Sequence, residues 1–430
     1  MWSRSAASCM TSSGYRRTTQ VKVASGDAQP ADKVAHALYL RGMRIVVGLS
    51  GGVDSSVAAG LLLEQGHEVI GMYMRNWHDA EVTKDGACPW IDDAQDAMLV
   101  ADHLGIPFQV VDLSAQYRER IVDYMFREYA AGRTPNPDVL CNREIKFDVF
   151  LEAARALGAE AVATGHYCRV EREGPKGPFR LRAGRDAAKD QSYFLCQVGQ
   201  TALAHALFPI GHLRKPEVRD WARAHGLPTA EKKDSQGLCF VGKVHLPDFL
   251  RMQLASRPGY IVEIPRDHPK LAAHALTTGR DAATPISWDP DDGRVVGEHP
   301  GAHFFTVGQR KGIAVGGRPQ PLFVIERDVE TNTLFVGMGD DHPGLYRRAL
   351  FVHAAEVHEV RPGITPAVGT SSMDFGVRYR YRAPLEAAEC TRLAEGMLVE
   401  FRRPQRGIAS GQFAAWYADD EVIGSGPIAW

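Results

Sequence analysis

The sequence contains no long apolar run. Uncharged apolar stretches such as Val57–Leu63 are far shorter than the roughly 20 residues that a membrane-spanning helix needs, so we expect no membrane anchor. None of the seven cysteines forms a C-x-x-C pair, which argues against a disulfide scaffold and against a ribbon-type zinc site. These absences indicate a reducing compartment, and we expect the protein in the cytoplasm.

Strong net charge is also missing. The formal net charge of −2 over 430 residues neither requires nor excludes a nucleic-acid partner, because a local basic face can operate within a neutral total. With 44% apolar residues, the chain is long enough to fold into two or three domains.

Residues 1–42 lack an evident pattern, and no acidic residue precedes Asp27. Their Ser, Thr, Ala and Arg content is similar to that of a mitochondrial transit peptide, whereas the apolar core of a secretory signal is missing. A start codon placed too early, upstream of Met43, is a further alternative. We expect residues 1–42 to be an unstructured extension, with a mitochondrial location as the alternative to the cytoplasm.

From Met43 onward, apolar strand patterns alternate with helical patterns. This alternation is typical of a doubly wound parallel sheet with helices on both faces. We therefore predict an α/β domain over 43–205, with its ligand site beyond the carboxyl ends of the strands. The predicted strands are 44–48, 68–74, 108–113 and 159–164, and the predicted helices are 53–65, 91–104, 116–130 and 145–157.

The pattern changes twice further along the chain. Residues 206–260 are predicted to form a small, mainly helical central domain, in which Pro216 suits a helix start. Short apolar runs then alternate with turn residues, which predicts a barrel-like β domain over 261–430. A stretch near 265–300, rich in Pro, Asp, Gly and His, is expected to be a surface insertion. Predicted strands of this domain are 304–307, 322–327, 334–336, 377–381 and 397–401.

The stretch VVGLSGGVDSS at 46–56 combines a strand end, a Ser-Gly-Gly turn and a helix start. Glycines let the backbone approach an anion, and the free N–H groups at the helix start stabilise its charge. The loop lacks the lysine of G-x-x-x-x-G-K-[ST] and does not match the dinucleotide pattern G-x-G-x-x-G. It predicts an anion site, and a glycine turn without a ligand is the alternative.

Cys141 follows two prolines and precedes a predicted helix that carries Arg143 and Lys146. A cysteine near a helix start and beside cations should ionise more readily, so we expect a lowered pKa. A single cysteine is more often inert. The second cysteine, Cys239, lies in a glycine-containing loop after two lysines and supports a reactive role for both.

The run Arg378-Tyr379-Arg380-Tyr381-Arg382 alternates cations with aromatic residues. In the predicted strand, alternate side chains would share one face. Arginine pairs with phosphates, and tyrosine or arginine stacks on exposed bases. The run therefore indicates an RNA-binding strand, and a solvated edge strand is the alternative.

The pattern S-G-G-x-D-S resembles the pyrophosphate loop of the ATP pyrophosphatases, which adenylate a substrate and release pyrophosphate. The loop alone does not separate the members of that superfamily. Five further segments resemble, in order, those of the bacterial tRNA 2-thiouridylase family, and the resemblance runs from Met43 to Trp430. The segments are 134–147, 163–167, 189–195, 232–242 and 308–312.

The resemblance implies a sulfurtransferase that makes 2-thiouridine at the wobble position of tRNA. ATP would adenylate the uridine C2 oxygen, and a persulfide sulfur would then displace AMP. The resemblance implies that Cys239 carries the persulfide and that Cys141 is the other nucleophile, forming a Cys141–Cys239 disulfide during turnover. Asp138 would serve in proton transfer.

The resemblance also implies the binding residues. Mg²⁺ would accompany ATP near Asp54, and no metal would be fixed by the protein alone. The implied partners are the tRNA anticodon loop and an upstream persulfide carrier or cysteine desulfurase. The implied ATP ligands are Gly48, Leu49, Ser50, Gly51, Gly52, Val53, Asp54, Ser55, Met74 and Gly165. The implied target-base residues are Asn136, Pro137 and Asp138, and the implied tRNA contacts are Lys189, Asp190, Gln191, Arg380 and Tyr381.

Three alternatives remain at this point. A synthetase that forms a C–N bond would share the loop but leave Cys141 and Cys239 unexplained. A tRNA-binding module without catalysis would need neither the loop nor the cysteines. An iron–sulfur cluster on the two cysteines, with Asp138 nearby, lacks a third cysteine at suitable spacing.

Overall fold

The computed structural model describes residues 42–76, 89–234, 246–251, 253–369 and 372–429. The extension predicted for 1–42 lies outside these ranges except for Gly42, and Cys239 also lies outside them. In the ranges described, no helix has the length and apolar character that crossing a membrane requires.

The first part of the chain forms a five-stranded sheet in the order β3-β2-β1-β4-β7. Every pairing in it is parallel, which confirms the predicted α/β fold. The strands are β1 (Arg44–Gly48), β2 (Glu68–Arg75), β3 (Phe108–Asp112), β4 (Ala161–Ala163) and β7 (Ala206–Leu207).

Helices cover both faces of this sheet because β1 at its centre is apolar on both sides. Ile45 and Val47 belong to one core cluster, with residues of α1 (Val53–Glu64) and α2 (Pro89–Leu104). Val46 points to the other face and shares a cluster with Phe150. The helices of that second face are α3 (114–130) and α4 (137–156).

Helix α4 changes its winding along its length. It begins as an α-helix at Pro137–Leu140, becomes a π-helix over Cys141–Val149 and returns to an α-helix at Phe150–Ala156. Phe147 has a non-helical backbone, with φ −108° and ψ 19°. π turns are rare and occur frequently at functional sites.

Part of the predicted central region packs directly on the parallel sheet domain. The helix α6 (Lys215–Ala224) places Val218 and Ala222 in one cluster with Val57 and Ala58 of α1. Two further short helices lie nearby in sequence, α5 (Gln200–Leu203) and α7 (Leu246–Arg251). The packing of α6 on α1 fixes the start of α6 next to the loop after β1.

The remaining strands form two sheets, one of four strands and one of nine. One has the order β10-β11-β8-β9, and the other has the main order β12-β16-β15-β14-β17-β18-β6-β5, with β13 paired to β18. The first sheet contains β8 (Gly259–Glu263), β9 (Arg294–His299), β10 (Leu322–Asp328) and β11 (Thr333–Met338).

The larger sheet joins the two halves of the chain, because β6 pairs with β18 at Arg182 and Glu421. Its strands are β5 (Cys168–Arg172), β6 (Phe179–Ala183), β12 (Tyr346–His353), β13 (His358–Glu359), β14 (Met373–Arg378), β15 (Glu386–Leu393), β16 (Gly396–Arg406), β17 (Phe413–Ala418) and β18 (Glu421–Pro427).

The segment 265–300, expected to be a surface insertion, is partly integrated in the fold. It contains the short helices α8 (Pro269–Ala275) and α9 (Gly279–Ala283), but its last residues form β9. Strand β9 pairs antiparallel with β8 and completes the four-stranded sheet.

Two strand predictions are wrong in the β domain. At 304–307, residues Ala302–Phe304 form a 3₁₀ turn, and a second turn follows in which the Gln309 N–H donates to the Thr306 carbonyl and Gly308 has φ +84°. The strand predicted for 377–381 ends at Arg378. Arg382 has φ +62°, a left-handed backbone that a strand does not allow.

Candidate active site

The loop between β1 and α1 has a backbone geometry that suits an anion. Gly51 has φ +71°, and a Cβ there would overlap the backbone carbonyl of Asp93, so only glycine fits. The residue before α1 is Gly52, which leaves the first N–H groups of the helix without a side-chain cap. Ser50 donates its backbone N–H to Ser55 Oγ over 3.2 Å, which fixes the turn.

Ser56 does not face the loop opening, although a hydroxyl here could have served as a donor to phosphate. Its side chain is fully buried. It donates to the Gly52 carbonyl over 2.9 Å and accepts from Thr229 over 3.0 Å. Ser56 therefore stabilises the loop through buried hydrogen bonds, on the side away from the loop opening.

Gly165 and Met74 lie at the same edge of the sheet as the loop. A Cβ on Gly165 would come within 2.6 Å of Ser55 N, so the chain after β4 crosses directly against the start of α1. Met74, near the end of β2, places its Cε 3.6 Å from a Cβ built on Gly48. The structure thus brings together the residues predicted to hold ATP.

Asn76 was not identified from the sequence. It lies just beyond β2 and is 2% exposed, and within the described part of the chain neither of its side-chain amide atoms has a hydrogen-bond partner. A buried polar group without a partner costs about 1–3 kcal/mol. Its position at the carboxyl edge, two residues after Met74, makes this side-chain amide a candidate group for binding a ligand.

The lysine that the loop lacks comes from a distant part of the chain. Lys215, at the start of α6, places Nζ 2.8 Å from both carboxylate oxygens of Asp54. Tyr167 donates its hydroxyl to the same carboxylate over 2.7 Å. Lys215 is only 9% exposed, so its charge faces the loop with little screening by water.

Asp234 pairs with three cations, of which Lys215 is one. Its carboxylate lies 2.8 Å from Lys215 Nζ, 2.7 Å from Lys189 Nζ and 2.9 Å from Arg219 Nη2. Burial raises the pKa of Asp234, but the hydrogen bonds from Lys189 and Lys215 outweigh burial, and the net pKa is below the ordinary value. Lys189, predicted to contact tRNA, therefore has an internal partner here.

Cys141 lies inside α4 and is fully buried. The helix begins at Asn136, whose side chain accepts from the Val139 N–H over 3.3 Å. Burial raises the pKa of the Cys141 thiol to about 12, while Lys146 lowers it and Asp138 raises it. The lowered pKa expected from the sequence is wrong for this conformation, because desolvation exceeds the effect of the nearby cation.

The segment before α4 is held by the β domain. Thr134 donates its N–H to the Ser410 carbonyl over 2.7 Å, and its side chain accepts from Arg327 over 2.8 Å. Gln412 donates to the carbonyl oxygens of Thr134 and Pro135. The β domain thus holds this segment in place. The segment leads directly into Asn136, Pro137 and Asp138, the residues predicted to meet the target base.

The two segments predicted to contact tRNA are joined to each other. Asp190, which is 6% exposed, pairs with Arg378 over 2.8 Å, and Arg378 leads directly into the exposed turn that carries Arg380. Gln191 accepts from the Tyr167 N–H over 3.0 Å. These partners are internal, and the tRNA contacts stay predictions.

One aromatic residue, Phe194, links Tyr381 to α4, the helix that contains Cys141. The ring centroid of Tyr381 is 4.2 Å from that of Phe194. The Phe194 carbonyl accepts a hydrogen bond from the side chain of Asn142 over 3.0 Å. Phe194 was not singled out from the sequence.

Three family models match successive parts of the chain. A family model described as the tRNA methyl transferase HUP domain matches residues 43–243. Models described as a tRNA methyl transferase PRC-barrel domain and an aminomethyltransferase beta-barrel domain match 285–338 and 350–428.

Curated relatives extend over nearly the whole chain. The tRNA-specific 2-thiouridylase MnmA of Flavobacterium johnsoniae is 56% identical over 395 residues, 90% of this chain and 100% of the relative. That of Christiangramia forsetii is 55% identical with the same coverage. This chain belongs to the tRNA-specific 2-thiouridylase family. The resemblance predicted from the sequence is confirmed.

Solved structures similar to this 2-thiouridylase family member include the NMN synthetase of Francisella tularensis. It has 17% identity and a TM-score of 0.29, and the match covers 47% of this chain and 70% of that one.

The carboxylate of Asp234 makes stability depend on pH. Because the folded pKa is lowered, the ionised group contributes stability above the unfolded pKa of about 4, and this contribution is lost as the pH falls. Wild type should exceed Asp234→Asn by about 1 kcal/mol at pH 7, with the gap closing towards pH 3, as measured by urea denaturation.

A matched control is Asp220→Asn, since Asp220 is well exposed and pairs with Arg223 over 3.1 Å. Its stability should follow wild type at every pH. A gap for Asp234→Asn that stays constant from pH 7 to pH 3 would contradict the assigned ion pairs.

Proposed function

We propose that this chain is an ATP-dependent tRNA 2-thiouridylase that replaces the C2 oxygen of a wobble uridine with sulfur and releases AMP and pyrophosphate. The observation that carries the proposal is the pairing of Lys215 with Asp54 of the glycine loop. It supplies a buried cation where pyrophosphate would leave. Family membership supports the same reaction.

The residues at the loop fit a nucleotide. The free N–H groups at the start of α1 and the ammonium of Lys215 would hold its phosphates, and Gly165 would leave room beside them. The buried amide of Asn76, unpaired among the described residues, would bond the nucleotide with Met74 alongside. Mg²⁺ would be held near Asp54. ATP supplies the adenylyl group that turns the uridine oxygen into a leaving group.

Sulfur transfer would use the two cysteines predicted from the sequence. A persulfide on Cys239 would attack the activated C2 carbon, and Cys141 would then attack Cys239 to give the disulfide and release 2-thiouridine. Asp138 precedes Cys141 by three residues in α4, and residues three apart in a helix share a face. This proximity supports its proposed role in proton transfer.

The proposed RNA surface includes the exposed turn with Arg380 and Tyr381, next to the segment Lys189, Asp190 and Gln191. The Asp190–Arg378 pair holds these two segments together. The contact of the Tyr381 ring with the tilted ring of Phe194 supports a site where an unstacked base is received near α4. The sulfur would come from a persulfide carrier protein or a cysteine desulfurase, and we propose a cytoplasmic location.

The activity is tested by incubating the protein with ATP, Mg²⁺, unmodified tRNA, and a cysteine desulfurase with cysteine as the persulfide source, followed by nucleoside mass spectrometry. We expect 2-thiouridine with wild type and none with Cys141→Ser, because the transferred sulfur is then not released. The matched control is Cys390→Ala, a buried cysteine in β15, which should retain activity. A folded wild-type protein that forms no 2-thiouridine would refute the proposed function.

RNA binding by the exposed turn is tested with Arg380→Ala. Loss of one phosphate or base contact should weaken tRNA binding about tenfold, while ATP affinity stays unchanged. Filter binding at several salt concentrations measures both the affinity and the salt dependence.

Arg266→Ala provides the control, because Arg266 is an exposed arginine that pairs with Asp341 outside the proposed surface. It should bind tRNA like wild type. Equal tRNA affinity for Arg380→Ala and wild type would contradict a role for this turn in tRNA binding and would favour the alternative of a solvated edge.

A further inference from the structure

Arg327 is a buried arginine in β10 that bonds to two separate segments of the chain. It is 8% exposed. Its Nε and Nη2 both donate to the Gly132 carbonyl, over 3.0 and 2.7 Å. Nη2 also donates to Thr134 Oγ1 over 2.8 Å, and Nη1 donates to the Phe305 carbonyl. The guanidinium therefore joins the residues that lead into α4, 132–135, to the turn before Phe305. We call residues 132–135 the entry segment.

The oxygens that accept from this guanidinium are all uncharged. None of the carboxylates that the structure describes forms an ion pair with it, and the neighbouring Glu326 pairs with Arg347 over 2.9 Å. Burial lowers the pKa of Arg327 more than the charge of Glu326 raises it, but a guanidinium stays charged in proteins. A buried charge without an ion pair is costly, and an apolar side chain would pack here at lower cost. The benefit of the arginine therefore lies in what its hydrogen bonds hold.

The entry segment is short and stiff. It begins at Gly132, whose backbone is left-handed with φ +70°. Pro135 and Pro137 then fix the backbone on either side of Asn136, and the Asn136 side chain caps α4. Because so few torsions are free, a displacement at the start of the segment is passed on to Asp138.

A second set of hydrogen bonds holds the other end of the entry segment. Gln412 donates to the carbonyl oxygens of Thr134 and Pro135, over 3.0 and 3.2 Å. The Thr134 N–H donates to the Ser410 carbonyl over 2.7 Å. These bonds come from the chain between β16 and β17, whereas Arg327 comes from β10. Two holds from different elements define the orientation of the segment as well as its position.

We propose that Arg327 is a positioning residue for the reaction, which orients the entry segment so that the residues after it are placed against the target uridine. The residues so placed are Asn136, Pro137 and Asp138. The proposal rests on the proposed function, since these are the residues predicted to meet the base. A misplacement of about 1 Å at the reacting groups can cost about 100-fold in rate. Loss of the Arg327 bonds should therefore appear in the chemical step.

The proposal is tested with Arg327→Met in the full chain, assayed with ATP, Mg²⁺, unmodified tRNA, and a cysteine desulfurase with cysteine. Methionine fills much of the same space but donates no hydrogen bond. We expect kcat for 2-thiouridine formation to fall about 10- to 100-fold, with little change in KM for tRNA. Release of pyrophosphate that depends on tRNA should fall by a similar factor, because adenylation also needs the base in place. Affinity for Mg²⁺-ATP should stay at the wild-type value.

Arg361→Met is the matched control for the loss of a buried arginine. Arg361 is also 8% exposed, but it pairs with Glu173 and with Glu421 of the larger sheet. It should lose stability to urea, as Arg327→Met does, and keep the wild-type kcat when assayed well below its unfolding transition. An equal loss of kcat in the two variants would overturn the positioning role, as would wild-type kcat in folded Arg327→Met.

Thr134→Val tests the same contact from the entry segment and replaces Arg327→Met if that variant does not fold. Valine keeps the shape of threonine and loses the hydroxyl that accepts from Arg327. We expect a lower kcat with little change in KM for tRNA, and wild-type kcat would contradict the proposal. Because both changes break one contact, the double variant should be about as slow as Arg327→Met alone. Losses that multiply in the double variant would also contradict it.

The two proposals fail in different ways. If the proposed function is wrong, wild type forms no 2-thiouridine. If only the role of Arg327 is wrong, wild type forms 2-thiouridine and Arg327→Met forms it with the same kcat.

Discussion

The contact between Lys215 and Asp54 holds the site together. It joins the first turn of α1 to the start of α6, across 161 positions of sequence, and it places a buried ammonium against a loop that has no cation of its own. The packing of α6 against α1 fixes the position of Lys215 relative to Asp54. Asp234 then links the same lysine to Lys189, so one chain of alternating charges runs from the nucleotide loop towards the proposed RNA surface.

A second constraint is the burial of Cys141. A fully buried thiol with a raised pKa is protected from oxidation and alkylation, since the thiolate is the reactive form. Reaction therefore requires a change in its surroundings. The segment before α4 is tied to the β domain through Arg327 and Gln412, so Cys141 lies in a helix whose start is fixed by that domain.

The sequence was most informative where the signal was local. The alternation of strand and helix patterns from Met43 predicted the parallel sheet, and the stretch 46–56 predicted the tight turn between β1 and α1, because their physical causes lie within a few residues. Lys215 escaped prediction because its role depends on how α6 packs, and a lysine before Pro216 looks like any helix start. The pKa of Cys141 was misjudged because neighbouring cations are visible in sequence and burial is not.

The strand expected at 377–381 failed for a related reason. Alternation of arginine and tyrosine fits a strand pattern, but the left-handed backbone of Arg382 turns the chain after Arg378. The sequence did not single out Asn76 or Phe194. In the fold, the buried amide of Asn76 has no hydrogen-bond partner among the described residues, and the ring of Phe194 contacts Tyr381.

The most direct test of the account is the affinity for Mg²⁺-ATP, measured by isothermal titration calorimetry on Lys215→Met and on Lys232→Met. Loss of a charge-assisted contact of about 1.5–3 kcal/mol predicts that Lys215→Met binds ATP at least about tenfold more weakly, whereas Lys232→Met binds like wild type. Wild-type ATP affinity in a folded Lys215→Met variant would contradict the claim that this lysine completes the loop.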